Sequence, residues 1–276
     1  MAADPRVLFQ EALANFQSGR AAQAESLLRA CIAVDPQRAE ALELLGGAIA
    51  AQGRPGEALD WYDRAKPMRP ASPSLRHNRA QVLFALGRAP EALAELEEAV
   101  RLKPDMHPAW NQMGAVLAAA GDAAGAERAY RRAVALRPDH AETHYNLALL
   151  FQGGGRAEEA IACYRKALQL RPRFAAAHNN LANVLSMQGQ AQDALREYQE
   201  ALRLDPNYAQ AHHNFAMLLA ANGRRPMSAH TRWVRGKARE ARRCRARCAH
   251  VGCGSRARDA ASMAGAMSSA PSSASG

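Results

Sequence analysis

Residues 175–208 read AAAHNNLANVLSMQGQAQDALREYQEALRLDPNY, and Ala182, Gly189, Ala194 and Pro206 within them recur along the chain at one fixed interval, that from Pro172 to Pro206. The recurrence gives a small-residue column, a glycine column, an alanine column and a proline column: Ala12, Gly46, Ala80, Gly114, Ala148, Ala182 and Ala216; Gly19, Gly53, Gly87, Gly121, Gly155, Gly189 and Gly223; Ala24, Ala58, Ala92, Ala126, Ala160 and Ala194; Pro36, Pro70, Pro104, Pro138, Pro172 and Pro206. No insertion or deletion breaks this spacing over six units, which identifies an internal repeat.

The four columns predict that each unit is a pair of antiparallel helices. Glycine belongs at the turn after the first helix, where a positive φ is often required. Proline belongs after the second helix, because it blocks continuation and lacks an N–H to donate. The small residues let helices approach closely. We expect one column of large side chains to fill the space between hairpins: Leu28, Tyr62, Leu96, Tyr130, Tyr164 and Tyr198.

A helical hairpin that repeats at this interval and carries these columns resembles the tetratricopeptide repeat (TPR) family. The resemblance covers residues 5–223 and implies an all-α, right-handed superhelical solenoid whose concave groove is lined mainly by first helices. A groove of this kind suits an extended peptide. We assign six repeats and a partial seventh: 5–38, 39–72, 73–106, 107–140, 141–174, 175–208 and 209–223.

The sixth position of successive repeats is rich in primary amides, reading Gln10, Leu44, Asn78, Gln112, Asn146, Asn180 and Asn214. A primary amide can pair with the N–H and the C=O of a peptide backbone together. We therefore predict a peptide-binding groove that includes Asn78, Gln112, Asn146, Asn180, Asn183 and Asn214. The alternative is that these asparagines bridge neighbouring helices of the solenoid itself.

Two stretches, FAAAHNNLANVL (174–185) and YAQAHHNFA (208–216), are similar to the repeats of the O-linked N-acetylglucosamine transferase family. The resemblance implies an asparagine ladder that holds protein substrates, matched here by Asn78, Asn146, Asn180 and Asn214. Leu44 breaks the ladder, and Gln10 and Gln112 only approximate it. We recognise no counterpart of that family's sugar-nucleotide-binding catalytic domain in this sequence.

The net charge of +10 is concentrated after residue 223. Residues 224–276 carry 12 Lys and Arg and two acids, whereas residues 1–223 carry 24 basic and 24 acidic residues. Nucleic-acid affinity comes largely from neutralising phosphates, so we do not expect the neutral repeats to bind nucleic acid. The repeat pattern stops after Gly223, and the low-complexity composition that follows predicts a disordered tail.

Three interpretations of residues 224–276 stay open. The Arg-, Ala- and Ser-rich composition is what a GC-rich gene gives when translated out of frame. A genuine basic arm over 224–258 would bind nucleic acid or an acidic membrane surface. The third interpretation is a compressed metal knuckle formed by Cys244, Cys248, His250 and Cys253.

The remaining chemistry-bearing residues do not form a catalytic constellation. His144, His178 and His212 share the fourth position, but ligands of one metal must lie much closer than neighbouring helices allow. We interpret them as packing in place of the tryptophan that Trp110 retains. We predict no cofactor, no membrane span, and a cytoplasmic location with reduced thiols. The predicted function is therefore a non-enzymatic scaffold that binds proteins; the alternatives are the substrate-recognition fragment of a glycosyltransferase and a polyanion-binding tail.

Overall fold

The computed structural model describes residues 4–221, which form helices joined by short turns and contain no strand. Each of the six full repeats holds one pair of helices, the partial seventh holds one helix, and the helices of these six repeats pack against each other in chain order. The predicted all-α solenoid is thereby confirmed. The helices are α1 (Pro5–Gln17), α2 (Ala21–Val34), α3 (Ala39–Ala51), α4 (Pro55–Ala65), α5 (Pro73–Ala85), α6 (Ala89–Leu102), α7 (His107–Ala119), α8 (Ala123–Leu136), α9 (Ala141–Gly153), α10 (Ala157–Leu170), α11 (Ala175–Met187), α12 (Ala191–Leu204) and α13 (Ala209–Ala221).

The turn inside each hairpin depends on the glycine column. The six glycines from Gly19 to Gly189 have φ between 72° and 84°, a left-handed conformation that side chains with a Cβ rarely adopt. The N–H of each of these glycines donates to a carbonyl of the last turn of the first helix, as Gly189 does to Ser186 at 3.1 Å. The glycine column thus ends each first helix at the same place.

One second helix is shorter than the periodicity predicts. α4 ends at Ala65 and has 11 residues, whereas α6 has 14. Pro67 explains the difference, since proline has no N–H to donate to the helix. Lys66 therefore lies in the turn that follows α4, from which its ammonium reaches α6.

The large side chains of the second helices pack differently from our expectation. Tyr62 and Tyr130 lie directly on Gly46 and Gly114 of their own hairpins, rather than only in the space between hairpins. A Cβ at Gly46 or Gly114 would lie 2.6 Å from the nearest ring carbon. Contact with the next hairpin also occurs, as between the rings of Tyr198 and Phe215, 6.2 Å apart. The ring thus fills both spaces, and as placed here it leaves no room for a Cβ at Gly46 or Gly114.

No helix within residues 4–221 combines the length and the apolar composition that are needed to cross a bilayer.

Candidate peptide-binding groove

Each sixth-position asparagine connects the first helix of its own repeat to the first helix of the preceding repeat. Each donates through Nδ2 to the residue at the fifth position of the preceding repeat. The pairs are Asn78 with Glu43 Oε1 (3.5 Å), Asn146 with Asn111 Oδ1 (3.3 Å), Asn180 with the Tyr145 hydroxyl (3.0 Å) and Asn214 with Asn179 Oδ1 (3.4 Å). The structure therefore contains the helix-bridging bonds that formed the alternative interpretation, with the Asn78 bond at the long end of the range.

Bridging leaves these amides with unused hydrogen-bonding capacity. A primary amide has two N–H donors and two acceptor lone pairs, and one bridge uses a single donor. The side chains of Asn146 and Asn180 are half-buried, so the rest of each amide remains accessible. Gln112, also half-buried, has no side-chain hydrogen bond to any residue in 4–221. Its amide therefore has unused donors and acceptors within the described residues.

A connected group of amides forms where α11 meets α13. Asn179, which is 0% exposed, donates to Asn180 Oδ1 (3.0 Å) and accepts from Asn214. Asn183 Oδ1 accepts from the Tyr198 hydroxyl (2.6 Å) and from Asn214 Nδ2 (2.9 Å), which occupies both lone pairs. Burial raises the pKa of Tyr198 to about 12, so its hydroxyl stays protonated and donates. Asn183 is left as a donor only, through its own NH₂ group.

The side chains at the fourth position make a hydrogen bond, whereas the sequence indicated only that they pack. In five repeats the side chain at this position donates to the carbonyl of the proline that lies six residues earlier. The pairs are Arg76 with Pro70 (3.1 Å), Trp110 with Pro104 (2.9 Å), His144 with Pro138 (2.9 Å), His178 with Pro172 (3.1 Å) and His212 with Pro206 (2.9 Å). The histidines thus replace tryptophan in a bond that fixes the start of each first helix.

His178 differs from the other histidines because both of its ring nitrogens face acceptors. Nε2 lies 3.1 Å from the Pro172 carbonyl, and Nδ1 lies 2.6 Å from Glu197 Oε2. Burial lowers the pKa of His178, but the bonds to Glu197 and Pro172 outweigh burial and raise that pKa above its usual value. The geometry therefore favours the imidazolium form.

A second histidine site joins α7 to α9. His107 Nε2 lies 3.0 Å from Thr143 Oγ1, and Thr143 Oγ1 lies 2.9 Å from His140 Nδ1. The Thr143 backbone N–H also donates to His140 Nδ1, so that nitrogen is an acceptor and the bonds run from His107 through Thr143 to His140. Burial is the largest cause that lowers the pKa of His107, and the nearby Arg137 charge lowers it further. This histidine site therefore favours the neutral form of His107.

Sequence reasoning missed a buried carboxylate between the second and third hairpins. The Glu95 side chain is 8% exposed and binds three cations: Lys66 (2.8 Å), Arg76 (3.1 Å) and Arg79. Burial raises the pKa of Glu95, but the three cations lower it more, and the carboxylate stays ionised. The only signal in the sequence was Pro67, which frees Lys66 from α4.

Sequence reasoning also missed a cavity at the other end of the groove. It has a volume of about 630 Å³ and lies among α1, α3 and α5, with Phe9, Phe16, Leu44, Gly47 and Asn78 in its wall. Leu44 is the residue that interrupts the amide column. The interruption was the available signal, because it replaces a polar groove position with an apolar one.

The predictions for residues 224–276 lie outside the described residues. This applies to the disordered tail, the basic arm and the ligand set Cys244, Cys248, His250 and Cys253.

Comparison with solved structures places the fold among known helical-repeat proteins. A crystal structure of the APC/C hetero-tetramer Cut9–Hcn1 matches with a TM-score of 0.70 and 19% identity over 78% of this chain and 43% of that chain. PilF of Pseudomonas aeruginosa matches with a TM-score of 0.68 and 20% identity over 77% and 97%. YrrB, described as a TPR protein with an unusual peptide-binding site, matches with a TM-score of 0.54 and 19% identity over 68% and 96%. The protein thus spans less than half of the Cut9–Hcn1 chain that it matches.

No curated protein matches this sequence. Family models do match it: one tetratricopeptide repeat model covers more than half of the chain, at residues 9–73, 77–141 and 111–162. Further models of the same repeat match residues 153–189, 175–208 and 197–231. These matches agree with the stacked hairpins and the glycine turns, and the chain belongs to the tetratricopeptide repeat family.

Proposed function

We propose that this protein is an interaction scaffold whose groove binds an extended peptide segment, largely through the peptide backbone. The observation that carries the proposal is the column of half-buried amides on successive first helices, in which Asn146 and Asn180 keep unused donors and acceptors. Amides make bonds that any peptide backbone can complement. Side-chain selectivity from this part of the groove is therefore expected to be broad.

The spacing of the amides suits an extended strand. Packed helices lie about 8–10 Å apart, and an extended chain advances about 3.3 Å per residue. One amide thus meets a ligand every three residues or so. Asn183 can only donate, so it would bind a peptide carbonyl, whereas Gln112 can both donate and accept. The peptide-binding site described for YrrB shows that another protein of this fold binds peptides.

Gln112→Ala is the sharpest test, because Gln112 makes no side-chain hydrogen bond to the described residues. We expect peptide binding to weaken by about 2- to 10-fold, as the loss of one hydrogen bond of about 0.5–1.5 kcal/mol implies, with unchanged unfolding free energy. The Asn146→Ala, Asn180→Ala double variant should weaken binding further and also lower stability, because it removes two helix bridges. Peptides recovered from a random display library would serve as probes, with Kd measured by fluorescence anisotropy.

The matched control removes two amides from second helices. Gln169 and Gln199 are exposed on α10 and α12, and the double change to Ala should leave both Kd and stability unchanged. If Gln112→Ala and the asparagine variant bind peptides as tightly as the parent while remaining folded, the amides do not contact the ligand and the proposal is wrong.

A second candidate function follows from the resemblance of residues 174–185 to O-linked N-acetylglucosamine transferases. On that hypothesis the repeats are the substrate-recognition part of a glycosyltransferase, and Asn146, Asn180 and Asn214 hold the acceptor protein. The hypothesis also predicts peptide binding, but with a preference for segments that contain Ser or Thr. We expect no sugar-nucleotide hydrolysis by this chain, and measurable turnover would contradict its assignment as a non-catalytic scaffold.

A further inference from the structure

The cavity among α1, α3 and α5 is lined largely by apolar residues. Phe9, Leu13 and Phe16 contribute one wall from α1, and Leu44 faces them from α3. The cavity is partly open, and its volume of about 630 Å³ exceeds what a single side chain fills. This is the one interior repeat in which the sixth-position amide is absent. The N-terminal part of the groove therefore offers apolar surface where the C-terminal part offers amides.

Gly47 opens this cavity without any backbone need for glycine. It lies inside α3, where its φ is not positive, and glycine is a poor helix former. A Cβ there would meet Phe16 Cζ at 3.5 Å and the Tyr62 hydroxyl at 3.6 Å, which are ordinary contacts. The neighbouring Gly46 is different, since its Cβ would overlap the Tyr62 ring. With Tyr62 placed as it is, a side chain at position 46 has no room, whereas Gly47 leaves space that a ligand side chain can occupy.

The charged residues that line the cavity are Glu40, Glu43 and Arg69, and the Arg38 guanidinium lies 4.7 Å from the centre of the Phe9 ring. Glu43 is paired with Arg69 at 2.6 Å and accepts from Ser74 at 2.8 Å. Glu40 is exposed in the first turn of α3, lines the same cavity, and has no ion pair with any residue in 4–221. A cationic side chain next to an apolar one would complement Glu40 and the cavity together.

We propose that this cavity is a side-chain subsite of the groove, which takes a large apolar side chain, aromatic or branched, adjacent to a Lys or Arg of the bound peptide. The inference rests on the proposed peptide-binding function and adds selectivity to it. Burial of the apolar side chain supplies affinity, and the unpaired Glu40 selects the neighbouring cation. The amides of the later repeats hold the backbone of the same peptide.

The distance between the two parts of the groove fixes the length of the ligand. From α3 to the amides of α9 and α11 there are three to four steps between first helices, or about 30 Å at about 8–10 Å per step. An extended peptide covers that distance with about nine residues at about 3.3 Å each. The anchor and the backbone-held segment should therefore be separated by about nine residues.

The experiment selects peptides that bind the full chain from a random library. The peptides are long enough to span both the cavity and the amides of the later repeats. The recovered peptides are then measured against two variants at one position. Gly47→Met places a long side chain in the cavity and takes up part of its space, whereas Gly47→Ala adds only a methyl group in ordinary contact and serves as the control. We expect the recovered peptides to share one large apolar residue beside Lys or Arg. Gly47→Met should weaken them by about 10- to 100-fold, the effect of losing the burial of one such side chain, and Gly47→Ala should not.

Charge is tested with Glu40→Lys, which should weaken the same peptides by up to about fivefold, as a rim charge pair does. Copies of the peptide in which Glu replaces the cation should bind Glu40→Lys more tightly than they bind the parent. Circular dichroism of each variant verifies that α3 is intact.

The outcomes separate this inference from the proposed function. Peptides that bind Gly47→Met as tightly as the parent, or that share no apolar residue, overturn the subsite. If those peptides still lose affinity for Gln112→Ala, the groove function stands without it. If the parent recovers no peptide, both the subsite and the peptide-binding function fail.

Discussion

Replacing Gly114 by alanine tests whether the position of the Tyr130 ring requires glycine beneath it. A Cβ at position 114 would lie 2.6 Å from both Cδ1 and Cε1 of Tyr130 and 2.9 Å from Cγ. Ordinary contacts begin at 3.4 Å, so the overlap is about 0.8 Å with two of the ring atoms. Tyr130 is 4% exposed and cannot move into solvent without vacating the core.

The expected change in unfolding free energy combines two opposing terms. Overpacking a buried site costs about 1–3 kcal/mol, while Gly→Ala inside a helix stabilises by about 1 kcal/mol. The number of overlapping ring atoms places the packing cost in the upper part of its range. We therefore expect Gly114→Ala to destabilise the protein by about 1–2 kcal/mol, the difference between these two terms.

The assay is a double-mutant cycle with Tyr130→Leu, followed by urea denaturation and far-UV circular dichroism. Leucine and alanine occupy the equivalent positions of the first repeat, at Leu28 and Ala12, so the double variant reproduces an existing pair. In the Tyr130→Leu background the overlap is gone, and Gly114→Ala should stabilise by about 1 kcal/mol. The coupling energy is then about 2–3 kcal/mol. Gly56→Ala, with nothing within 4 Å of its Cβ, is the unclashed control. Effects that add within about 0.5 kcal/mol would refute the reasoning.

Three further predictions concern charge. Glu95→Gln should destabilise by about 2–3 kcal/mol, since it leaves three partly exposed cations facing a neutral group; exposed Glu97→Gln is the control and should stay within about 0.5 kcal/mol. The raised pKa of His178 means that its contribution to stability is complete below pH 6.5 and is lost as pH rises through the folded-state pKa. His178→Gln should therefore reduce the stability advantage of acidic over neutral solution, and an unchanged pH profile would contradict the ion pair with Glu197. His107 has the opposite pH dependence. Its pKa is lowered, so its contribution to stability is complete above pH 6.5 and falls in more acidic solution. His107→Gln should therefore reduce the loss of stability at acidic pH, as measured by denaturation at several pH values.

Much of the fold was predictable, because each repeat is marked by glycine and proline, which have strong backbone preferences. The φ of Gly155 is 72° in a turn that the regular spacing of the glycine column had already located. The length of α4 was also encoded in the sequence, by Pro67, but the periodicity alone hid it. The packing of Tyr62 on Gly46 was not predictable from one column at a time. It depends on which residues of two helices face each other, and that is set only when the hairpin closes.

The candidate site was predictable in composition but not in connectivity. The sequence showed that Asn146 and Asn180 share a position, yet not that their partners, Asn111 and Tyr145, lie 35 residues earlier. That offset combines the repeat length with a shift of one position, which arises from how neighbouring helices are rotated. The cavity beside Leu44 is empty space, which no residue encodes directly. The only indication in the sequence was that Leu44 stands where the other repeats have an amide.

Bridging and recognition by the same amides are compatible for an energetic reason. Ordering a flexible side chain on binding costs about 0.5–1.5 kcal/mol, and a bridge to the preceding helix has already fixed the rotamer of Asn146 before any ligand arrives. Gln112 has no such bridge and one more rotatable bond, so a peptide must order it. A hydrogen bond to Asn146 should accordingly contribute more to affinity than the same bond to Gln112, even though Gln112 has more free donors. The bridges that stiffen the solenoid would thus also preorganise its groove, and loss of a bridge would weaken peptide binding beyond the single contact removed.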